Sequence, residues 1–219
     1  MFNAAFFTQL WATKVAIIHG LGITALVSIL SIVLGTILGL LVGLVLSYAP
    51  TPIRFLARIY TDFVRGTPVL VMLLTTYYLP SVFKVNIPPI QAGITALSVF
   101  LSSHVAEMLR GSLLNLPKGQ TEAANSIGLS FLQTFLFILL PQALRQILPT
   151  WVNAAVETLK ASTLVSVIGV ADLLLSTQQI IALNFMTLPF FMFAGMLYFS
   201  LAYGIQLLGK SLENRVAIK

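Results

Sequence analysis

The sequence predicts an all-α membrane protein with about five transmembrane helices. Of its 219 residues, 58% are hydrophobic and only 8% are charged, whereas soluble domains carry roughly a quarter charged residues. A soluble monomer rarely tolerates the apolar surface that such a composition would expose. Several apolar runs are also long enough to cross a bilayer, which takes about 20 helical residues. We therefore expect lipid to surround most of the chain.

The first predicted span covers residues 15–47, which contain no Lys, Arg, Asp or Glu. Gly35, Gly39 and Gly43 recur at every fourth position of this run. Such a stripe of small residues lets a second helix approach closely, but glycine is also generally tolerated in membrane helices, so both interpretations stay open. The Pro-Thr-Pro segment at residues 50–52 is expected to end the helix, because proline cannot continue the backbone hydrogen-bond ladder.

Four further spans are expected along the chain. The second is predicted at residues 67–83, after a polar segment rich in arginine, and the third at 90–109, after a short turn. A long polar loop follows, and then a fourth apolar region whose helix Pro141 is expected to break. Residues 176–188 read as a turn, and the last span is predicted at 189–208.

The distribution of basic residues predicts the orientation. Five spans place the termini on opposite sides, and the side richer in Lys and Arg is cytoplasmic. Eight basic residues fall on one side and two on the other, which puts the N-terminus outside and the C-terminus in the cytoplasm. The first charged residue is Lys14, whereas a secretory signal carries positive charge ahead of its apolar stretch, so the first span is expected to remain in the mature protein. The larger set is Arg54, Arg58, Arg65, Arg110, Lys118, Lys210, Arg215 and Lys219, and the smaller set is Lys14 and Lys84.

Several function classes find no support in the sequence. The net charge of +6 comes from residues between apolar runs, not from a basic patch that would indicate nucleic-acid binding. The chain has no cysteine, which excludes disulfides and thiolate metal sites. His19 stands alone on an apolar helix without a second metal ligand at a suitable spacing. No phosphate-binding loop and no His-Glu-x-x-His or Gly-x-Ser-x-Gly motif is present, so we predict neither a metal site nor catalytic residues.

The long polar loop, at about residues 117–130, predicts a docking surface for a separate protein. Pro117 and Gly119 are expected to end the preceding helix, and residues 120–127 are expected to form a short helix outside the membrane. Ala123 and Ala124 are small, so a partner surface can come close. Glu122 supplies a charge that donors on a partner can hold, and Gly128 permits a sharp change of direction because it readily adopts positive φ.

The spacing within and after this loop resembles a known family. From Glu122 to Pro141 it reads Glu-Ala-Ala, three residues, Gly, nine residues, Ile, one residue, Leu-Pro. This is similar to the signature loop of permease subunits of binding-protein-dependent ABC importers. The resemblance covers about residues 15–212 and implies a single permease domain. Segments that resemble the polar amino-acid uptake branch are Arg65-Gly66-Thr67-Pro68, Ala106-Glu107 with Arg110-Gly111, Pro117 with Gly119 and Gln120, and Pro141-Gln142-Ala143 with Arg145.

The resemblance implies a type I ABC importer permease fold in the bacterial inner membrane. It implies two permease subunits, identical or related, that form the pathway for a polar amino acid supplied by an extracytoplasmic binding protein. Two ATPase subunits would bind ATP and Mg²⁺, and each would accept a segment like Gln120–Gly128 in a surface groove. Closure of the ATPases would move these segments and switch the pathway between outward-facing and inward-facing states. The chain itself is therefore expected not to be an enzyme.

Polar residues inside the spans are the candidates for solute contact, because ionisable groups there are costly and indicate function. Glu107 and Arg110 share one helix face near the cytoplasmic end, which favours a structural ion pair. Glu157 and Lys160 have the same spacing deeper in an apolar run, and both pairing and pathway contact stay open. The candidate pathway residues are Ser102, His104, Asn153, Glu157 and Lys160.

Two details limit the choice of solute and mechanism. Ala154 follows Asn153 where permeases that resemble basic amino-acid carriers often have Glu, which weakens the case for a basic substrate. Asp172 is expected near the external mouth or as a solvated charge at a helix end. The alternative functions are an ion-coupled secondary carrier, which often shows two similar halves, and a membrane-embedded enzyme. We find neither an internal duplication nor a catalytic pair.

Overall fold

The computed structural model describes residues 4–216, without the side chains of the last two, and these residues form helices joined by short connections. Arg215 and Lys219, which entered the charge count, therefore lie outside the described side chains. A π-helical segment, Phe135–Leu139, joins two of the helices, and a 3₁₀ segment covers Ser162–Ile168. The helices are α1 (Ala4–Tyr48), α2 (Thr51–Gly66), α3 (Val69–Val82), α4 (Pro89–Asn115), α5 (Lys118–Ser126), α6 (Phe131–Thr134), α7 (Leu140–Ala161), α8 (Leu173–Asn184) and α9 (Thr187–Val216).

The expectation of an all-α chain with several membrane-spanning helices is confirmed. By length and composition, four helical stretches within residues 4–216 are suited to cross a membrane. These are Ala4–Tyr48, Pro89–Asn115, Phe131–Ile168 and Thr187–Asn214. Helix α3 is a further apolar helix, shorter than these four. With 14 residues, α3 is about 21 Å long, which is shorter than the hydrocarbon core of about 30 Å.

Helices α2 and α3 together run back along α4. Tyr60 of α2 forms a hydrogen bond with Ser102, whereas Leu73 of α3 packs with Leu97, five positions earlier on α4. The span predicted at residues 67–83 corresponds to α3, Val69–Val82. The arginine-rich segment before it forms a separate helix, α2.

The Arg-Gly-Thr-Pro segment forms the joint between α2 and α3. Thr67 is extended, with φ −100° and ψ 130°, and Pro68 caps the start of α3. Proline disfavours the helical conformation of the residue before it, which explains why the chain cannot continue α2 through this point. The Thr67 hydroxyl donates to the Phe63 carbonyl at 2.7 Å, so the joint is closed by a local hydrogen bond.

The glycine stripe of α1 packs directly on α4. A Cβ atom added to Gly39 would lie 2.6 Å from Cβ of Val105 and 2.7 Å from the Ser102 carbonyl oxygen. Gly35 and Gly43 face α4 in the same way, and the order of contacts shows that the two helices run parallel. The close-approach interpretation of the stripe is therefore confirmed.

The prediction that Pro141 breaks its helix is wrong. Pro141 is the second residue of α7, and the helical path continues from Phe131 to Ala161. The π segment immediately before it provides the explanation. Proline lacks an N–H, and its ring clashes with the carbonyl four residues earlier in a regular α-helix. The wider π turn changes the hydrogen-bond register there, so that Leu140 donates to Phe135.

The turn predicted at residues 176–188 is also wrong, because α8 occupies most of it. Asp172 caps this helix, and its Oδ1 accepts the Leu175 N–H at 2.9 Å. Such a cap satisfies one of the free amide groups of the first helical turn. Leu173 and Ile180 pack in a buried cluster with Phe190 of α9. Burial of these apolar side chains stabilises α8 as a helix, although the glutamines in this segment had suggested a turn.

Candidate functional site

Helix α5 projects from one end of the helix bundle and is covered by it on only one side. Ala124 is 1% exposed and faces the bundle. Gln120, Glu122 and Ala123 are exposed to solvent. Gly128 ends the segment with φ +79°, so the predicted positive φ is confirmed. The preceding helix ends at Asn115, before Pro117 and Gly119 as expected, but α5 begins at Lys118 and therefore includes Gly119.

A side-chain contact connects α5 to the start of α7. The Gln142 Nε2 donates to Oε1 of Gln120 at 3.4 Å and to the Ile138 carbonyl at 2.9 Å. Gln142 thereby bridges the π segment and the exposed helix. The sequence contained both glutamines in separate motifs, but their 22-residue separation concealed the contact.

An aromatic cluster joins the end of α1 to the same segment. The ring of Tyr48 packs edge-on against Phe131 at 5.3 Å and Phe135 at 5.4 Å between centroids. Edge-to-face packing at such distances is favourable. These contacts join α1 to α6 and to the π segment, which connect α5 to α7.

Ile127 is a further candidate that sequence reasoning missed. Its side chain is 75% exposed immediately after α5, in a region that projects beyond the membrane-spanning helices. The sequence did contain a signal for it, because Ile127 is a large apolar residue within the polar loop. On the projecting surface, Glu122 carries a negative charge, the small side chain of Ala123 leaves room for a close approach, and Ile127 presents a large apolar side chain.

The second candidate region is a polar stripe on α7. At 3.6 residues per turn, the stripe occupies an arc of about 80°. Along residues 151–159 the other sides of α7 are packed: Trp151 donates to Thr36 of α1 at 2.8 Å, Val152 touches Gly209 of α9, and Ala154 packs against α4. Every member of the stripe is exposed in this chain, and the members are Gln146, Thr150, Asn153, Glu157 and Lys160.

The structure leaves Glu157 and Lys160 unpaired with each other. Within the described part of the chain, the ion pairs join Arg58 to Asp62 and Glu107 to both Arg58 and Arg110. Two exposed charges on a membrane span are costly in lipid. The stripe is therefore suited to face water or another subunit.

The two α4 candidates occupy different environments. Ser102 is fully buried, donates to the Val99 carbonyl at 2.7 Å and accepts a hydrogen bond from Tyr60 at 2.5 Å. It therefore holds α2 against α4. His104 is partly buried, with Nδ1 3.0 Å from the Phe100 carbonyl, an arrangement that directs the Nε2 atom away from its own helix backbone.

Asp172 lies at a helix end as expected, but the expectation that its charge is solvated is wrong, because the residue is buried. Its Oδ2 accepts from the Tyr198 hydroxyl at 3.2 Å, and the neighbouring Leu173 N–H donates to Thr24 at 3.1 Å. These bonds join α1, α8 and α9 at the end of the bundle opposite α5. His19, in contrast, is exposed. Within residues 4–216, no group of three His, Cys, Asp or Glu side chains is placed to hold a metal ion.

Comparison with known proteins gives the family. Residues 35–218 match the family model described as binding-protein-dependent transport system inner membrane component. The chain belongs to this family. It is therefore a transport subunit of the inner membrane and not an enzyme.

Two relatives illustrate how far the family match extends. The chain is 30% identical over 213 residues to the glutamine transport system permease protein of Escherichia coli strain K12, with 96% of this chain and 97% of the relative covered. It is 32% identical over 166 residues to the L-cystine transport system permease protein of Bacillus subtilis strain 168, with 75% and 71% covered.

A solved structure supports the same family and its fold. The chain superposes with a TM-score of 0.88 and 32% identity on a chain from a crystal structure of an amino acid ABC transporter with histidines, covering 95% of this chain and 98% of that one. The type I importer permease fold expected from the signature loop is thereby confirmed. The individual site residues remain predictions.

Proposed function

We propose that this inner membrane component forms part of the pathway of an ATP-driven importer for a polar amino acid. The observation that carries the proposal is the unpacked polar stripe of α7. It places Asn153, Glu157 and Lys160 on one side of a membrane-spanning helix whose other sides are packed along residues 151–159. A second permease subunit, a copy of this chain or a related one, would face the stripe and enclose an aqueous path.

The chemistry of the stripe suits a polar amino acid. Its amide, hydroxyl, carboxylate and ammonium groups offer both hydrogen-bond donors and acceptors. The similar proteins named above are described as transporting glutamine and L-cystine, which supports the same solute class. His104 would contribute at the edge of the stripe through its Nε2 atom, whereas Ser102 would act indirectly by positioning α2.

Helix α5 would dock the ATPase that supplies the energy. Two ATPase subunits would hold ATP and Mg²⁺ and would each receive one permease's α5 in a surface groove. Glu122, Ala123 and Ile127 would enter that groove, while Ala124 and Gln120 would hold α5 against the rest of the permease. The Tyr48 cluster and the Gln142 bridge would then carry movement of α5 to α1 and α7.

The proposed orientation places α5 and the C-terminus in the cytoplasm and the N-terminus outside. An extracytoplasmic binding protein would deliver the solute to the opposite end, near the α8 region. A cysteine placed at an exposed α5 position would be labelled by a membrane-impermeant maleimide only after cell lysis. Labelling of intact cells would reverse the proposed orientation.

Uptake by reconstituted transporter tests the function directly. The chain would be purified with its co-expressed neighbouring subunits, inserted into liposomes containing ATP and supplied with binding protein. Radiolabelled glutamine, cystine and arginine would be offered separately. We expect at least one to accumulate only when ATP is present. Accumulation driven by an ion gradient without ATP would instead support a secondary carrier.

A further inference from the structure

An apolar crevice separates α1 from α2 beside the connection between these helices. Its volume is about 450 Å³, and it lies apart from the polar stripe of α7. The crevice begins at the α1–α2 connection and extends along both helices, and Tyr60 and Val99 line it further in. Its principal walls are Leu38, Leu41 and Val45 from α1 and Ile53, Leu56 and Ala57 from α2.

The crevice opens to the outside of the described chain. Leu41 is 57% exposed and Leu56 is 66% exposed, although both flank the cavity. α1 crosses the membrane along this length, so the surface faces hydrocarbon wherever no protein covers it. An apolar slot of this kind fits a flexible hydrocarbon chain, because such a chain can follow an irregular wall and fill it.

A cationic side chain lies at the α1–α2 connection, where the crevice begins. Arg54 follows Ile53, and its side chain donates to the Ala49 carbonyl at 2.9 Å. This bond uses one of the five N–H donors of the guanidinium group. Across residues 4–216, no acidic side chain lies within ion-pair distance of Arg54. The guanidinium is exposed and has donors left for a negatively charged group.

The position of Arg54 along the membrane normal agrees with a lipid headgroup. Tyr48, at the end of α1, contacts Phe131 and Phe135 beside the α5 segment, so the α1–α2 connection lies at the α5 end of the bundle. A basic residue at the membrane surface attracts anionic lipid, and basic pockets between spans on the cytoplasmic side bind anionic headgroups.

We propose that the crevice binds one acyl chain of an anionic phospholipid whose phosphate is held by Arg54. The apolar walls select a hydrocarbon chain, and the unpaired guanidinium selects a negative headgroup over a zwitterionic one. The bound lipid fills the space between α1 and α2, and it thereby supports the packing of α2 on α4. The proposal does not depend on which solute is transported.

Lipid retention provides the test. The chain, purified with the subunits that accompany it, would be placed in nanodiscs of equal parts phosphatidylglycerol and phosphatidylcholine, and the lipids retained after release would be counted by native mass spectrometry. We expect phosphatidylglycerol to be retained preferentially. Arg54→Gln should reduce this preference about fivefold, since one basic residue near the surface contributes about that much to binding. Ala57→Phe should displace lipid of both kinds by filling the crevice.

Lys210→Gln is the matched control, because Lys210 is an exposed basic residue on α9 and does not line the crevice. It should retain phosphatidylglycerol as the unsubstituted chain does. Equal losses in Arg54→Gln and Lys210→Gln would overturn the proposal, since they would show only a general charge effect. Unchanged retention in Arg54→Gln would overturn it as well.

A second measurement asks whether another permease subunit occupies the crevice instead. The chain has no cysteine, so Leu56→Cys introduces a single thiol. Efficient disulfide formation between two copies at this position would show that protein covers the crevice and would reject the lipid site. Absence of the crosslink together with preferential phosphatidylglycerol retention supports it.

Discussion

Arg58 of α2 donates a 2.8 Å hydrogen bond to Glu107 of α4, across 49 residues of sequence. Arg110 holds the other carboxylate oxygen of Glu107 at 2.8 Å. One partly buried carboxylate therefore connects two helices at the α5 end of the bundle. The pair predicted from the sequence, Glu107 with Arg110, is present, and it belongs to a network that also ties α2 to α4.

We predict that Arg58 and Glu107 are energetically coupled. Arg58→Met, Glu107→Gln and the double variant form a thermodynamic cycle, measured by thermal unfolding of the purified chain in detergent. Because Arg58 is 42% exposed and Glu107 is 14% exposed, solvent screens the pair, and we expect coupling of about 1 kcal/mol. Asp62→Asn is the control: its 4.0 Å pair with Arg58 is largely exposed and should contribute little. Additive effects of the two substitutions would contradict the prediction.

The second prediction concerns the contact between α1 and α4. Gly39→Ala would place Cβ 2.6 Å from Cβ of Val105, so the helices must separate. Overpacking of this kind costs about 1–3 kcal/mol, which should lower the thermal midpoint in detergent. Gly22→Ala is the matched control on the same helix, because its Cβ would meet nothing within 4 Å. Equal midpoints for the two variants would show that the glycine contact is unimportant.

Those parts of the fold were predictable that depend on local residue types, such as the absence of charge or the spacing of glycines. The charge-free run and its glycine spacing gave α1 and the close approach of another helix. The sequence could not show how Pro141 is accommodated, because that depends on a π turn formed by its neighbours. Nor could it reveal α8, since the partners that stabilise α8, Thr24 and Tyr198, are far away in sequence.

In the candidate site, too, features set by local residue types were predictable, whereas features set by distant contacts were not. The exposed α5 helix and the positive φ of Gly128 follow from local residue types. The polar stripe was only partly recognised: Asn153, Glu157 and Lys160 were predicted individually, but Gln146 and Thr150 join them only once the packed sides of α7 are known. The buried position of Ser102 follows from its contact with Tyr60, which no spacing rule predicts.

The third prediction tests α5 as the docking element. Glu122→Arg should release the ATPase subunits or abolish stimulated ATP hydrolysis, because donors that hold a carboxylate would repel a guanidinium. Membrane insertion should be unchanged, since Glu122 is exposed. Co-purification of the ATPase through a tag on the permease measures the loss. Asp62→Arg reverses a charge away from α5 and should leave co-purification intact. Normal uptake by the Glu122→Arg variant would show that α5 does not couple the permease to the ATPase in the way proposed.

Ile127 leads to the fourth prediction. If its exposed side chain is the apolar anchor of the docking surface, Ile127→Ser should weaken ATPase binding about tenfold while preserving thermal stability. Burial of one large aliphatic side chain contributes about 1.5–3 kcal/mol, which is enough for that change. Ile127→Leu keeps the apolar volume and should bind the ATPase as the unsubstituted chain does. Should both variants bind alike, Ile127 would lie outside the interface.

The last prediction separates solute contact from simple helix packing on α7. Glu157 and Lys160 are exposed and have no ion-pair partner in the described chain. Glu157→Gln and Lys160→Met should therefore change thermal stability by less than about 0.5 kcal/mol. Uptake by the complete transporter should nevertheless fall about tenfold, because each substitution removes a charge from the proposed aqueous path.

Lys210→Met provides the comparison, since it removes an exposed charge from α9 and should leave uptake unchanged. If the α7 stripe instead faced lipid, neutralising Glu157 or Lys160 would remove a costly charge. Stability would then rise and uptake would persist. If these residues paired across a subunit contact, exchanging them in Glu157→Lys with Lys160→Glu would restore both assembly and uptake. Only a contact with solute predicts that neutralisation leaves the fold and assembly intact while transport declines.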